Sequence, residues 1–157
     1  MNRVRLDTLD ISLLEILQQE GKLSVAEVAA RAHQSTTTCW RRIQQLELDG
    51  VIKRRVALLD RNALGLDVTI FAHVKLATTG RDAIATFEAA IRDRSEVLEC
   101  YTVTGEWDFL LKIVTRNIKA FEAFYLDYLS RIPCVQSVNS SVAVTVIKES
   151  TALPLGA

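Results

Sequence analysis

The N-terminal fold is decided by residues 24–50, which read SVAEVAARAHQSTTTCWRRIQQLELDG. Ser24 and Glu27 have the spacing of a capping box, in which each side chain bonds the other residue's backbone at the start of a helix. After a short break, Ser35 is the expected N-cap of a further helix, which ends near Gly50. The connection of about three residues has the spacing of a helix-turn-helix.

Another helix is predicted immediately upstream, over residues 7–20. Leu9, Leu13 and Leu17 recur at helical spacing, and Asp7 is a suitable N-cap. The N-terminal part is therefore predicted to hold three short helices. In a helix-turn-helix, the last of these helices enters the major groove of DNA.

The predicted third helix carries side chains that suit DNA. Hydroxyl groups and free backbone N–H groups at a helix start bind phosphate oxygens, and Arg and Gln can each hold one base through two hydrogen bonds. On these residues alone, a solvated amphipathic helix followed by a basic strand is the alternative. Trp40 and Cys39 are expected to pack in the core. We expect DNA contacts from Ser35, Thr36, Thr37, Thr38, Arg41, Arg42, Gln45 and Arg54.

Charge is distributed unevenly along the chain. The 157 residues contain 19 Lys and Arg and 19 Asp and Glu, and a net charge of zero by itself argues against a nucleic-acid partner. Between Arg31 and Arg55, however, six basic residues stand against two acidic ones, a net charge of +4. The rest of the chain therefore carries −4, and this local basic segment favours DNA.

The composition argues against several other classes of protein. No apolar run approaches the roughly 18 residues that span a membrane, and the first residues lack the apolar segment of a secretory signal. Cys39, Cys100 and Cys134 form no C-x-x-C pair, which favours reduced thiols in the cytoplasm. His33 and His73 have no cluster of metal ligands around them, so no metal or other cofactor is expected. No nucleophile–base constellation is visible, so an enzyme is not expected.

The second part of the chain alternates strands and helices. Residues 68–76 alternate apolar and polar side chains, which is a strong strand pattern. Similar patterns predict helices over residues 82–93 and 118–131 and strands over residues 51–59, 97–104, 109–115 and 138–148. From residue 68 onward the order is β-α-β-β-α-β, a ferredoxin-like sheet with both helices on one face, so the fold class is α+β. The other face is expected to be apolar and uncovered, which favours a homodimer.

Short motifs, in this order and spacing, resemble the leucine-responsive regulatory protein/asparagine regulator (Lrp/AsnC) family of bacterial and archaeal transcription regulators. The resemblance covers residues 6 to about 154. The motifs include Leu6-Asp7, Leu46-Glu47, Gly50-Val51-Ile52, Leu59-Asp60, Leu64-Gly65, Val97-Leu98-Glu99-Cys100-Tyr101, Thr104-Gly105, Asp108-Phe109-Leu110 and Val146-Ile147-Lys148.

Together, the patterns and the resemblance predict four segments. These are a helix-turn-helix DNA-binding domain (1–50), a linker strand with a hinge (51–66), a ligand-sensing and oligomerisation domain (67–149) and a C-terminal tail (150–157). The resemblance also implies dimers that assemble into octamers.

The resemblance further implies an amino-acid effector bound between dimers, near the turn at residues 104–108. Backbone N–H groups of the turn suit a carboxylate, and Asp108 suits an α-ammonium group, with Glu106 as a competing partner. The alternative is a tight hairpin that needs Gly105 and Asp108 for its own geometry. The expected effector contacts are Tyr101, Thr104, Gly105, Glu106, Trp107, Asp108 and, from a neighbouring subunit, Ser140.

The expected function is that of a sequence-specific transcription regulator that responds to a small amino acid and acts in the cytoplasm, on the nucleoid. A dimer would present two recognition helices to a pseudo-palindromic site in double-stranded DNA. The alternative is an architectural, weakly specific DNA-compacting protein with no effector.

Overall fold

The computed structural model describes residues 4–155. Residues 1–3 and 156–157, which the sequence analysis assigns to the helix-turn-helix domain and the tail, lie outside the described residues. The described chain forms two compact units, residues 4–58 together with 148–155, and residues 59–147.

Three helices form the first unit: α1 (Thr8–Gln19), α2 (Val25–Arg31) and α3 (Thr36–Leu48). The predicted caps of all three helices are confirmed. Asp7 caps α1 in a reciprocal box with Asp10, and Ser24 does the same for α2 with Glu27. Ser35 caps α3 by accepting a hydrogen bond from the backbone N–H of Thr38. These bonds satisfy N–H groups that would otherwise lack a partner at each helix start.

The core of this unit lies where the three helices meet. Leu13 of α1, Val28 of α2 and Ile43 of α3 are almost fully buried. Cys39 is buried beside them, as expected, and burial raises the pKa of its thiol. The small side chain of Ala29 belongs to the same cluster, and small residues let neighbouring helices approach closely.

The prediction of a strand over residues 51–59 is wrong. No strand is present between α3 and residue 68, although residues 51–59 are rich in the apolar side chains that favour strands. Val56 and Leu58 are 61% and 73% exposed. A strand exists only when a neighbouring strand takes its hydrogen bonds, and none of the strands in residues 4–155 pairs with this segment.

The second unit contains β1 (Val68–Leu76), α4 (Arg81–Arg92), β2 (Val97–Thr102), β3 (Phe109–Thr115), α5 (Ile118–Asp127), a short 3₁₀ helix (Leu129–Arg131) and β4 (Val135–Val142). The sheet order is β2-β3-β1-β4, and all neighbouring strands are antiparallel. This is the predicted ferredoxin-like arrangement, and the α+β class is confirmed.

One face of the sheet carries the core. Alternate residues of β1 (Ile70, Ala72, Val74 and Leu76) are buried together with alternate residues of β3. Phe87 of α4 packs on them, with its ring centroid 4.5 Å from that of Phe109. Phe124 of α5 belongs to the same cluster, so both helices cover this one face.

The last strand begins and ends earlier than the sequence predicts, at residues 135–142 instead of 138–148. Val142 lies opposite Ile70, and the backbone N–H of Ala143 still bonds the carbonyl of Thr69. In this register Val68, the first residue of β1, lies opposite residue 144, so β1 offers no partner backbone to the residues after Val144. The valines at 144 and 146 alternate as in a strand but are exposed.

The open face of the sheet is more polar than expected. Phe71 is 38% exposed and lies opposite Lys112 of β3 and Ser141 of β4. Glu99 of β2 bonds both Lys112 and Tyr101 across this face. Apolar and charged side chains are therefore interleaved, because the alternation that buries one face places these residues on the other.

Candidate DNA interface and effector turn

The start of α3 presents hydroxyl groups. The Oγ of Ser35, which caps the helix, lies 2.8 Å from the Oγ1 of Thr38, so these two hydroxyls are hydrogen-bonded to each other. Thr36 and Thr37 are exposed. The first backbone N–H groups of a helix have no partner within the helix, so this end can receive an anionic group such as a phosphate.

The outward face of α3 is defined by its buried face, which consists of Cys39, Ile43 and Leu46. At about 100° per residue, Thr37 and Arg41 lie on the opposite side. Within the described residues, no hydrogen bond or ion pair engages the Arg41 guanidinium. Gln45 is also exposed, but its amide donates to Asp49 Oδ1 at 2.9 Å.

Arg42 is held by carboxylates of α1. Its guanidinium lies 2.7 Å from Asp7 Oδ2 and 3.3 Å from Asp10 Oδ1. The backbone N–H of Asp10, together with Arg42, lowers the pKa of Asp7. The side chain of Asp10 is only 8% exposed, so Arg42 neutralises a carboxylate that water hardly reaches. In this chain Arg42 therefore stabilises the helix assembly, a role that spacing within α3 could not reveal.

We predict that Arg42→Ala lowers the free energy of unfolding of the first unit by about 1–3 kcal/mol, because the buried carboxylate of Asp10 loses its ion-pair partner and keeps only the backbone N–H of Asp7. Urea denaturation followed by circular dichroism measures the change. The matched control is Arg41→Ala, which removes an exposed guanidinium with no partner in the described part of the chain and should change stability by less than about 0.5 kcal/mol. Equal stabilities of the two variants would contradict the role of Arg42.

Trp40 does not pack in the core as expected, since 56% of its surface is exposed. It lies about 100° around the helix from Cys39, on the flank of α3. The buried face of the helix is formed by Cys39, Ile43 and Leu46 instead.

The segment after α3 adds exposed basic groups. Arg54 and Lys53 are exposed, whereas the neighbouring Arg55 donates to Glu47 Oε1 at 3.2 Å. Arg54 thus has the exposure that a DNA contact requires.

The predicted effector turn closes the hairpin between β2 and β3. The backbone N–H of Val103 donates to the carbonyl of Asp108 at 3.0 Å, and Gly105 adopts φ 114°. A side chain at that φ is strained, so glycine is required there by the backbone itself.

Asp108 binds the end of β1. Its Oδ2 accepts from the backbone N–H of Leu76 at 2.8 Å, and its Oδ1 lies 3.4 Å from the Nζ of Lys75. Its own N–H donates to the carbonyl of Val74. The register with β4 shifts between Lys75 and Leu76, and the Asp108 carboxylate satisfies the N–H at that irregularity. Neither partner of Asp108 could be predicted, because a register shift leaves no signal in a single sequence.

We predict that Asp108→Ala destabilises the second unit by about 1–3 kcal/mol, since a buried backbone N–H loses its acceptor. Asp108→Asn keeps an acceptor oxygen for Leu76 while removing the charge, and it should retain most of the stability. Thermal unfolding of both variants against the wild type measures the difference. If the two variants were equally destabilised, the ion pair with Lys75 would matter more than the hydrogen bond.

The other residues of the turn differ in exposure. Thr104 and Glu106 are exposed, and Trp107 is half-buried with its ring centroid 5.9 Å from that of His73. Tyr101 donates to Glu99 at 2.8 Å, and this bond raises the pKa of Tyr101 and lowers that of Glu99. These groups lie together at one end of the sheet.

Ser140 is not close to this turn within one chain. It lies on β4, at the opposite edge of the sheet from Tyr101 on β2. Three strand spacings separate the two edges, roughly 14 Å. Ser140 could therefore join these residues only from another copy of the chain.

Two further observations concern residues 4–155. They contain no group of three or more His, Cys, Asp or Glu side chains that could hold a metal ion. No helix among them has the length and apolar character needed to cross a membrane.

Comparisons with known proteins find a matching family for each of the two units. A family described as "Lrp/AsnC ligand binding domain" matches residues 69–153, and one described as "Winged helix-turn-helix DNA-binding" matches residues 6–53. The glutamate uptake regulatory protein of Zymomonas mobilis is 36% identical over 151 residues, with 96% of this chain and 92% of the relative covered.

Two solved structures are similar over nearly the whole chain. A transcriptional regulator from Neisseria meningitidis, in complex with L-Met, has a TM-score of 0.93 at 37% identity, covering 97% of this chain and 98% of the other. An AsnC family transcriptional regulator from Agrobacterium tumefaciens has a TM-score of 0.91 at 41% identity, covering 96% and 97%.

Proposed function

Because this chain belongs to the Lrp/AsnC family of transcription regulators, which is not a family of enzymes, we propose that it binds specific DNA sequences under the control of a small amino acid. The chain has the helix-turn-helix and the amino-acid ligand-binding domain of that family. The observation that carries the proposal is the outward face of α3, where Thr37 and Arg41, which pairs with no group among residues 4–155, lie together on an exposed surface.

On the DNA side, Arg41 and Gln45 contact base edges, and the threonines at the start of α3 with Arg54 contact phosphates. Gln45 must first exchange its bond with Asp49, which costs little because both groups are exposed. Arg42 is engaged by Asp7 and Asp10, and it contributes by holding α3 in place. Two such helices in a dimer fit half-sites about one helical turn apart in a pseudo-palindromic site.

On the effector side, the turn after β2 supplies backbone N–H groups for the α-carboxylate, and Asp108 Oδ1 or the exposed Glu106 takes the α-ammonium. Lys75 already lies beside Asp108 Oδ1, so an incoming ammonium group shares that oxygen or displaces Lys75. The relative in complex with L-Met supports an amino acid as the ligand class. Ser140 of another copy would complete such a site.

We propose that the assembly of subunits couples effector binding to DNA binding. A ligand changes DNA binding only when it binds one quaternary arrangement better than another, and a site between subunits provides that difference. We propose a dimer through the open sheet face, which carries Phe71, and an octamer built from four such dimers with the effector bound between them. The protein works in the cytoplasm, in contact with the nucleoid.

A thermal-shift screen of the twenty amino acids tests the effector. We expect one of them, or a chemically related few, to raise the melting temperature of the wild type, because a ligand that binds only the folded state stabilises it. The shift should be lost in Asp108→Asn, which keeps the fold, when Asp108 takes the α-ammonium group, and it should persist there when Glu106 takes it. If no amino acid changed the melting temperature or the DNA affinity, the effector part of the proposal would be wrong.

A further inference from the structure

Trp40 is an exposed aromatic residue of the first unit. Although aromatic rings of this size are usually well buried, 56% of its surface is exposed. Within the described residues, its indole makes neither a hydrogen bond nor a ring contact. An apolar group of this size in water is a candidate for a binding contact.

The position of Trp40 is on the part of α3 that faces DNA. It is the fifth residue of the helix, directly before Arg41, and it shares a flank with Thr36 and Gln44, four residues away on either side. In a helix-turn-helix, side chains from the N-terminal half of the recognition helix reach the base edges.

The charges around Trp40 fit DNA better than an apolar protein surface. Arg41 is exposed beside it and carries no counter-charge within the described residues. The two acidic groups of the region are already engaged, Glu47 with Arg55 and Asp49 with Gln45. A polyanion therefore meets a basic surface that contains one large apolar group.

The major groove offers one apolar group at the base edges, the 5-methyl group of thymine. We propose that Trp40 packs on a thymine 5-methyl group and so makes the chain prefer a T·A pair at one position of each half-site. This inference rests on the proposed function, since it requires that α3 enters the major groove. It assigns apolar recognition to Trp40, beside the hydrogen-bonding recognition by Arg41.

The test removes the thymine methyl group from the DNA and the Trp40 ring from the protein in separate experiments. A duplex selected by the wild type from a random pool is remade with deoxyuridine in place of each thymine in turn, symmetrically in both half-sites. At the contacted position the wild type should lose about fourfold in affinity per half-site, the value for one buried methyl group. Trp40→Ala should bind both duplexes equally at that position.

Leu48→Ala provides the matched control, because Leu48 is an exposed apolar residue (81%) at the C-terminal end of the same helix. The Leu48→Ala variant should lose affinity for the duplex when the methyl group is removed, as the wild type does. Trp40→Gln gives a second, more soluble variant with the same expected result if Trp40→Ala does not fold.

Three results would overturn the inference. In the first, replacing thymine with deoxyuridine lowers the affinity of the wild type at no position, or it lowers the affinities of the wild type and of the Trp40 variants equally at every position. In the second, Trp40→Ala changes the mass of the assembly in sedimentation while the methyl dependence persists, which would place a second copy over the ring. In the third, the wild type prefers no duplex at all, and the proposed function fails together with the contact.

Discussion

Arg41→Ala is expected to weaken binding to the selected duplex by about 5- to 150-fold per half-site, the loss that follows when a side chain bonded to two atoms of a base is removed. Its guanidinium points away from the buried face of α3 and is unpaired within residues 4–155. Among the described residues, therefore, no intramolecular bond has to be broken before it reaches a base. Removal of the side chain should therefore act on binding alone.

Fluorescence anisotropy with the labelled duplex measures this loss, and sedimentation shows whether the assembly is intact. Arg92→Ala is the matched control, since Arg92 is an exposed arginine in the last turn of α4, outside the helix-turn-helix. Its DNA affinity should equal that of the wild type. An Arg41 variant with wild-type affinity would remove Arg41 from the DNA interface.

The largest effect on stability is expected for Phe87→Ala, at about 3–5 kcal/mol. The ring is fully buried between α4 and the sheet and contacts the ring of Phe109. Its loss leaves a cavity that β1 and β3 cannot fill, because their buried residues are held by the strand register.

Urea denaturation of the full chain measures this effect. Ile147→Ala removes an apolar side chain that is 91% exposed in the same unit, and it should cost less than about 0.5 kcal/mol. Similar losses for the two variants would mean that the core does not lie between α4 and the sheet.

Local patterns predicted most of the fold. The caps at Asp7, Ser24 and Ser35 could be recognised because each bond joins residues close in the chain. The strand over residues 68–76 was predicted at its observed bounds, since its alternation directly reflects burial on one face.

Predictions that depended on distant partners were less successful. Residues 51–59 and 143–148 have strand-like composition, but composition does not show whether a second strand is available. Trp40 was assigned to the core by its residue type, although its position on α3 places it on the flank.

The site residues show the same limit. Arg42 has the spacing of a DNA contact, but it bonds Asp7 and Asp10, more than thirty residues away in the chain. Asp108 was predicted from the turn, whereas its partners Lys75 and Leu76 lie at the far end of another strand. Only the folded chain brings such groups together.

The most direct test of the central claim is the affinity of the wild type for its selected duplex and for one with a base pair changed in each half-site, with and without the amino acid that shifts its melting temperature. We predict a loss of about 1–3 kcal/mol per wrong pair and a change in affinity when the amino acid is added. Equal affinity for both duplexes, unchanged by any of the twenty amino acids, would contradict the account and indicate an architectural DNA-compacting protein.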